Sequence, residues 1–172
     1  MDLKRWLPTF LAFPLGGFIA MGVGSLHDPL SAATGGLLAG AVIGAAHGFA
    51  LRADIRRWTL GTAAAMSAGT ALAAAITGAG TELADLMLTG LVAGAAVGAA
   101  QGTLLGGPRL VAAWTAVTAA SWATAWLVSS TVIGVHADQG FYVFGSSGAI
   151  VATVITGFAL RALQAPRRAV IA

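Results

Sequence analysis

A chain of 172 residues that is 58% hydrophobic and only 9% charged has too little polar surface for a water-soluble globule, since an ordinary soluble domain is about 25% charged. The mean hydropathy of +0.86 places it in lipid, and the net charge of +3 reads as membrane topology rather than as a nucleic-acid footprint, because the basic residues fall between apolar runs. With no cysteine, disulfides, thiolate metal sites and thiol nucleophiles are excluded.

The first apolar run, Trp6–Leu26, follows Lys4 and Arg5. It is longer than the roughly 7–15-residue core of a signal peptide and lacks an A-x-A site, so it reads as a retained span. Pro8 near its start is harmless, whereas Pro14 predicts a kink. His27 and Asp28 follow, and Asp28 before Pro29 is a helix start.

The second run, Leu30–Leu51, contains GLLAGAVIGAAHG, with Gly36, Gly40, Gly44 and Gly48 four apart. Each glycine inside a helix costs about 1 kcal/mol relative to alanine. In lipid that cost is offset where the bare face meets another backbone. His47, one place before the last glycine, is an ionisable group within a span and so a candidate for a pore or proton relay, unless it reaches the headgroups from its position five residues before Arg52.

Arg52, Arg56 and Arg57 separate this run from the third, Trp58–Ile76; Glu82 and Asp85 mark the start of the fourth, Leu83–Leu105. The fourth repeats the ladder as GLVAGAAVGAAQG, with Gly90, Gly94, Gly98 and Gly102, and puts Gln101 where the first has His47. Arg109 introduces the fifth run, Leu110–Ile133. His136 and Asp138 precede the sixth, Phe141–Leu163, where the ladder fades to Gly145, Ala149, Thr153 and Gly157, with Thr156 in the place of His47. A basic tail, 164–172, ends the chain.

The six runs form three tandem hairpins, approximately 1–53, 54–108 and 109–163, within a single membrane domain. The hexapeptide GFALRA occurs at both 48–53 and 157–162, and Trp6, Trp58 and Trp114 each open an odd-numbered run. Shared composition produces matched alanines and glycines, but not matched tryptophans, an identical hexapeptide and matched topology together. All nine Lys and Arg fall on one side of this six-span arrangement, which predicts cytoplasmic termini in a bacterial-type plasma membrane. The expected fold is an all-α integral membrane protein of six transmembrane helices. The ladder helices, second, fourth and sixth, should pack centrally as a glycine zipper, with the tryptophans forming an interfacial belt.

Two residue sets are candidates for function. His47, Gln101 and Thr156, equivalent in the three repeats, are the pore or relay candidates. His27, Asp28, Glu82, His136 and Asp138 would ring the outer mouth, and their oxygen and imidazole groups suit a divalent metal ion as cofactor. N-capping explains the carboxylates equally well, but not the paired histidines. No catalytic motif occurs, so the chain does not read as an enzyme. The function expected is transport or permeation of a cation or small solute. The alternative is a non-catalytic scaffold or accessory subunit, whose partners are the lipid bilayer and either copies of itself or a larger membrane protein.

Overall fold

The computed structural model describes residues 1–22, 27–133 and 143–165, and every regular element among them is helical. The chain begins with a short helix α1 (Leu3–Trp6), a 3-10 stretch (Leu7–Leu11) and α2 (Ala12–Met21). Five longer helices follow: α3 (Pro29–Leu51), α4 (Ile55–Thr77), α5 (Leu83–Leu105), α6 (Pro108–Ile133) and α7 (Ser146–Leu163). These five are long and apolar enough to cross a membrane, and 23 residues of α-helix rise roughly 34 Å against a hydrocarbon core of about 30 Å. The apolar surface faces outward, as lipid requires: Phe18, Leu30, Phe49 and Phe158 are all exposed.

The helix ends follow from local chemistry. Asp28 and Ser31 form a reciprocal capping box at the start of α3. Asp54 caps α4 by accepting from the Arg57 amide at 3.1 Å. Gly106 and Gly107 adopt positive φ, +92° and +86°, which turns the chain sharply from α5 into Pro108 at the head of α6. The expected kink at Pro14 takes the form of a change in winding. Pro14 has no amide to offer the Phe10 carbonyl, and the 3-10 stretch ends there, with the Ala12 amide directed at Phe10 and Thr9 oxygens.

Each long helix packs against its neighbours in the chain, and α7 returns to the α1–α2 segment, so the helices close into a ring. Among the described residues, the backbones of α3, α5 and α7 do not approach one another; only side chains such as His47 and Gln101 bridge α3 and α5. The ladder helices therefore do not pack together at the centre as expected. The glycines of α3 and α5 lie against the helix that follows. A Cβ at Gly40 would meet Met66 and Ala63 of α4 at 2.8–2.9 Å, one at Gly44 the Trp58 carbonyl at 2.6 Å, and one at Gly94 or Gly98 the backbone of α6 at 2.8 Å. The reason lies in the connections: residues 52–54 and 106–107 are the whole turn between these helices. So tight a turn holds two antiparallel helices side by side along their length, the geometry in which a continuous glycine groove is filled.

Two kinds of close approach recur around the ring. Within hairpins, Gly16 meets Ala39, Gly69 meets Ala93, and Gly148 meets Ala125. Between hairpins, Gly48 meets Ile55 and Trp58, Gly102 meets Val111, and Gly157 meets Leu3 and Trp6. Gly16 stands ten residues after Trp6, whereas Gly69 and Ala125 stand eleven after Trp58 and Trp114. The 3-10 stretch accounts for the difference, because five residues at about 120° and five at about 100° turn as far as eleven at 100°.

Candidate functional site

Inside the ring, the candidates His47 and Gln101 come together. Gln101 is 1% exposed and His47 6%, so His47 does not reach toward headgroups. The Gln101 amide nitrogen lies 3.2 Å from His47 Nδ1 and donates to Thr62 Oγ1 at 3.0 Å. Its carbonyl oxygen accepts from Trp114 Nε1 at 3.1 Å. Thr156, the third candidate, enters through Trp6, whose indole N–H is shared between the Thr153 carbonyl at 3.0 Å and Thr156 Oγ1 at 3.3 Å. Trp6 stacks on the His47 ring with centroids 4.5 Å apart and meets Trp114 edge-on at 6.2 Å. Trp58 lies edge-on to His47 at 6.5 Å.

The tryptophans thus depart from the expected interfacial belt. Trp6, Trp58 and Trp114 are buried, at 1%, 3% and 1% exposure. Indole adapts to an interface because one end is apolar and the other polar; here both needs are met inside the ring, where Trp6 and Trp114 find acceptors. Their matched positions in the sequence were the available signal that they act together. Composition gave no hint that they point inward; Thr62, whose hydroxyl completes the layer, belongs to the W-T-x-x-T-A-A pattern shared by 58–64 and 114–120, but that pattern does not show that its hydroxyl faces Gln101.

Beyond this polar layer aromatic and apolar side chains dominate the described interior. Phe13 stacks on Phe144 at 5.0 Å and meets Trp122 edge-on at 5.8 Å, while Trp126 meets Phe144 at 6.1 Å. A void of only about 10 Å³ remains near Met66, Thr70, Trp122, Trp126 and Phe144, too little for a path. On the other side of the layer, at the end carrying the basic residues, a vestibule of about 490 Å³ opens among Asp2, Arg5, Ala50, Arg52, Trp58 and Leu105. Arg5 braces its rim by donating to the Phe49 carbonyl at 2.8 Å.

The metal candidates are placed only in part, because His136 and Asp138 lie outside the described residues. Asp28 uses its carboxylate as a cap, accepting from Leu30 at 2.7 Å and Ser31 at 3.0 Å. These amides, Ser31 first and then Leu30, hold its pKa below the usual aspartate value. His27 donates its backbone amide to Ser31 Oγ at 3.1 Å. Glu82 occupies the N-cap position of α5 without a side-chain cap bond. Among the described residues, no three His, Asp or Glu side chains form a metal-binding group. Of the ladder glycines, Gly36, Gly90 and the others of α3 and α5 lie against the following helix, Gly157 lies against Leu3 and Trp6, and Gly145 is the N-cap of α7.

The chain matches no family model, no curated protein and no solved structure. Its helices are those of an integral membrane protein, and everything more specific rests on the geometry above.

Proposed function

We propose that the chain is a six-span membrane protein descended from three copies of one hairpin, with cytoplasmic termini, whose ring carries a small solute. The observation that carries this reading is the vestibule. It opens at the basic end, draws its walls from α1, α3, α4 and α5, and reaches Trp58, the edge-on neighbour of His47 in the polar layer. The first segment counts as a span because α1, the 3-10 stretch and α2 run without a break from Leu3 to Met21. Triplication is supported by the two kinds of close approach, each occurring three times at equivalent positions.

Arg5 and Arg52 outweigh Asp2 at the mouth and favour an anionic or neutral solute over the cation that the acidic residues at the other end suggest, because a net positive mouth repels cations. Divalent-metal binding by His27, Asp28, Glu82, His136 and Asp138 remains a separate proposal for that opposite end. The second reading, a scaffold packed against a partner or itself, is favoured by one observation: the Phe13–Phe144–Trp122 cluster fills the ring beyond the polar layer. A carrier accommodates that cluster as a closed gate; an open channel does not.

Proteoliposomes challenged in turn with gradients of chloride, acetate, phosphate, sodium and potassium test the reading. Flux of at least one anion, reduced at least tenfold by Ala50→Trp at the vestibule wall, is the expected result. Absence of flux across the panel from correctly folded protein transfers support to the scaffold.

A further inference from the structure

We infer that His47 and Gln101 form a proton-linked switch: the polar layer holds His47 as the neutral tautomer protonated on Nε2, and a proton arriving at Nδ1 turns the Gln101 amide and releases Trp114. This holds whether the ring carries a solute or serves as a scaffold, because it depends on the layer alone.

The argument starts from the indole. Trp114 Nε1–H can only donate, so the Gln101 atom 3.1 Å away is the carbonyl oxygen. That assignment fixes the amide, whose two orientations are otherwise interchangeable. The –NH₂ group then has its two hydrogens directed at Thr62 Oγ1 and His47 Nδ1. Nδ1 must therefore present a lone pair, and in a neutral imidazole the proton lies on Nε2.

A proton on Nδ1 would set an N–H against an N–H. Rotating the amide by about 180° resolves the clash at His47, because Oε1 then accepts from Nδ1–H and from the Thr62 hydroxyl, which can donate as well as accept. The same rotation brings –NH₂ against the Trp114 N–H, and that bond is lost. The stacked face of Trp6 offers the new charge cation–π attraction, which offsets part of the cost of burying it. Protonation thus breaks the Trp114 bond and strengthens the Trp6 stack that is already in place.

Among the described residues, no charged group competes for this role. The side chains facing His47 from the packed elements are Trp6 and Phe13 from the first segment, Trp58 from α4 and Gln101 from α5, and none of them titrates as an acid or base near neutral pH. Beyond Gln101 the layer continues into Thr62 of α4 and Trp114 of α6, likewise uncharged. The charged residues of these elements, among them Arg5, Arg52, Arg56 and Arg109, sit at the helix ends.

Nitrogen-15 NMR of histidine-labelled full-length protein in bicelles reads the tautomer directly. The His47 signal is identified in the double variant His27→Asn with His136→Asn, which leaves the polar layer untouched. At about pH 7.5, where an ordinary histidine is mostly neutral, the inference expects Nε2 protonated and Nδ1 bare. Trp114→Phe, which frees the amide to face either way, should yield a mixture of both tautomers. Acidification should produce a reversible change in tryptophan fluorescence in the wild type that His47→Gln abolishes. An Nδ1–H tautomer in the wild type, a single unchanged tautomer in Trp114→Phe, or an acid-induced fluorescence change that persists in His47→Gln would overturn it.

Discussion

Trp114 donates its indole N–H to Gln101 across the boundary between the second and third hairpins, while Trp6 donates to Thr156 across the boundary between the third and the first. The two bonds join equivalent pairs, and the second links the two ends of the chain. At the remaining boundary, His47 stands in for the acceptor and Trp58 meets it only edge-on. The three boundaries thus carry three chemistries, and the ionisable one lies where Trp58 forms part of the vestibule wall.

Two threonines at matching distances from their tryptophans differ in the same way. Thr62 stands four residues after Trp58 and accepts from Gln101; Thr118 stands four after Trp114, and its hydroxyl is buried with no hydrogen-bond partner among the described residues. Thr156 is too short to reach it as Gln101 reaches Thr62. Thr62→Val should destabilise the protein by about 1–2 kcal/mol, because it strands the Gln101 amide. Thr118→Val removes an orphaned hydroxyl and should be neutral or stabilising by up to about 1 kcal/mol. Unfolding in mixed micelles checks the pair, and equal losses would contradict the assignment.

Glycine positions separate packing from propensity. A methyl at Gly44 would lie 2.6 Å from the Trp58 carbonyl and 2.9 Å from Thr59 Cα, and backbone cannot step aside as a side chain does. Gly44→Ala should cost about 1–3 kcal/mol, the range for overpacking. At Gly61 the nearest atom is Leu104 Cδ1 at 3.6 Å, so Gly61→Ala should be neutral or gain up to about 1 kcal/mol from helix propensity. The same unfolding measurement reads both; tolerance at Gly44 would mean that α3 and α4 are less intimate than described.

The sequence made the helices legible because hydropathy and capping act locally. Leu83–Leu105 was read with the ends the structure shows, and Asp28 at the head of α3 is the cap its place before Pro29 implies. The partner of each ladder was not legible. Glycines four apart announce that something comes close, but the choice between the preceding and the following helix depends on turn length, and residues 52–54 decided it. The polar layer was half legible: the repeat singled out His47, Gln101 and Thr156, but the inward tryptophans needed three-dimensional closure. Pro14 announced a disturbance without revealing that a 3-10 stretch would preserve the facing of Gly16.

The cap at Asp28 makes stability depend on pH. Amide bonds lower its pKa in the folded protein below 3.8, so the unfolded chain binds the proton first. The cap's contribution is present above the ordinary aspartate value and is lost as the pH falls through the lowered one. Asp28→Asn keeps an acceptor at the N-cap and should flatten this part of the acid profile while preserving the melting temperature near neutrality. Thermal melts between about pH 2 and pH 6 check it. An acid profile unchanged by the substitution would assign the loss to other carboxylates.

Ring closure is the claim on which the rest depends, since without it Trp6 does not reach His47 and the vestibule has no α1 wall. The chain has no cysteine, so a disulfide can test closure without background. A Cβ at Gly157 would lie 3.2 Å from Leu3 Cδ2, which puts the side chains of positions 3 and 157 in direct contact. Mild oxidation of the Leu3→Cys, Gly157→Cys protein should yield an intramolecular bond, identified by mass spectrometry of the linked peptides. The control pair Leu3→Cys, Leu91→Cys, whose second position faces outward on α5, should not link. Cross-linking of the first pair at monomer mass is the result the ring predicts; free thiols throughout, in protein that remains folded, would contradict it.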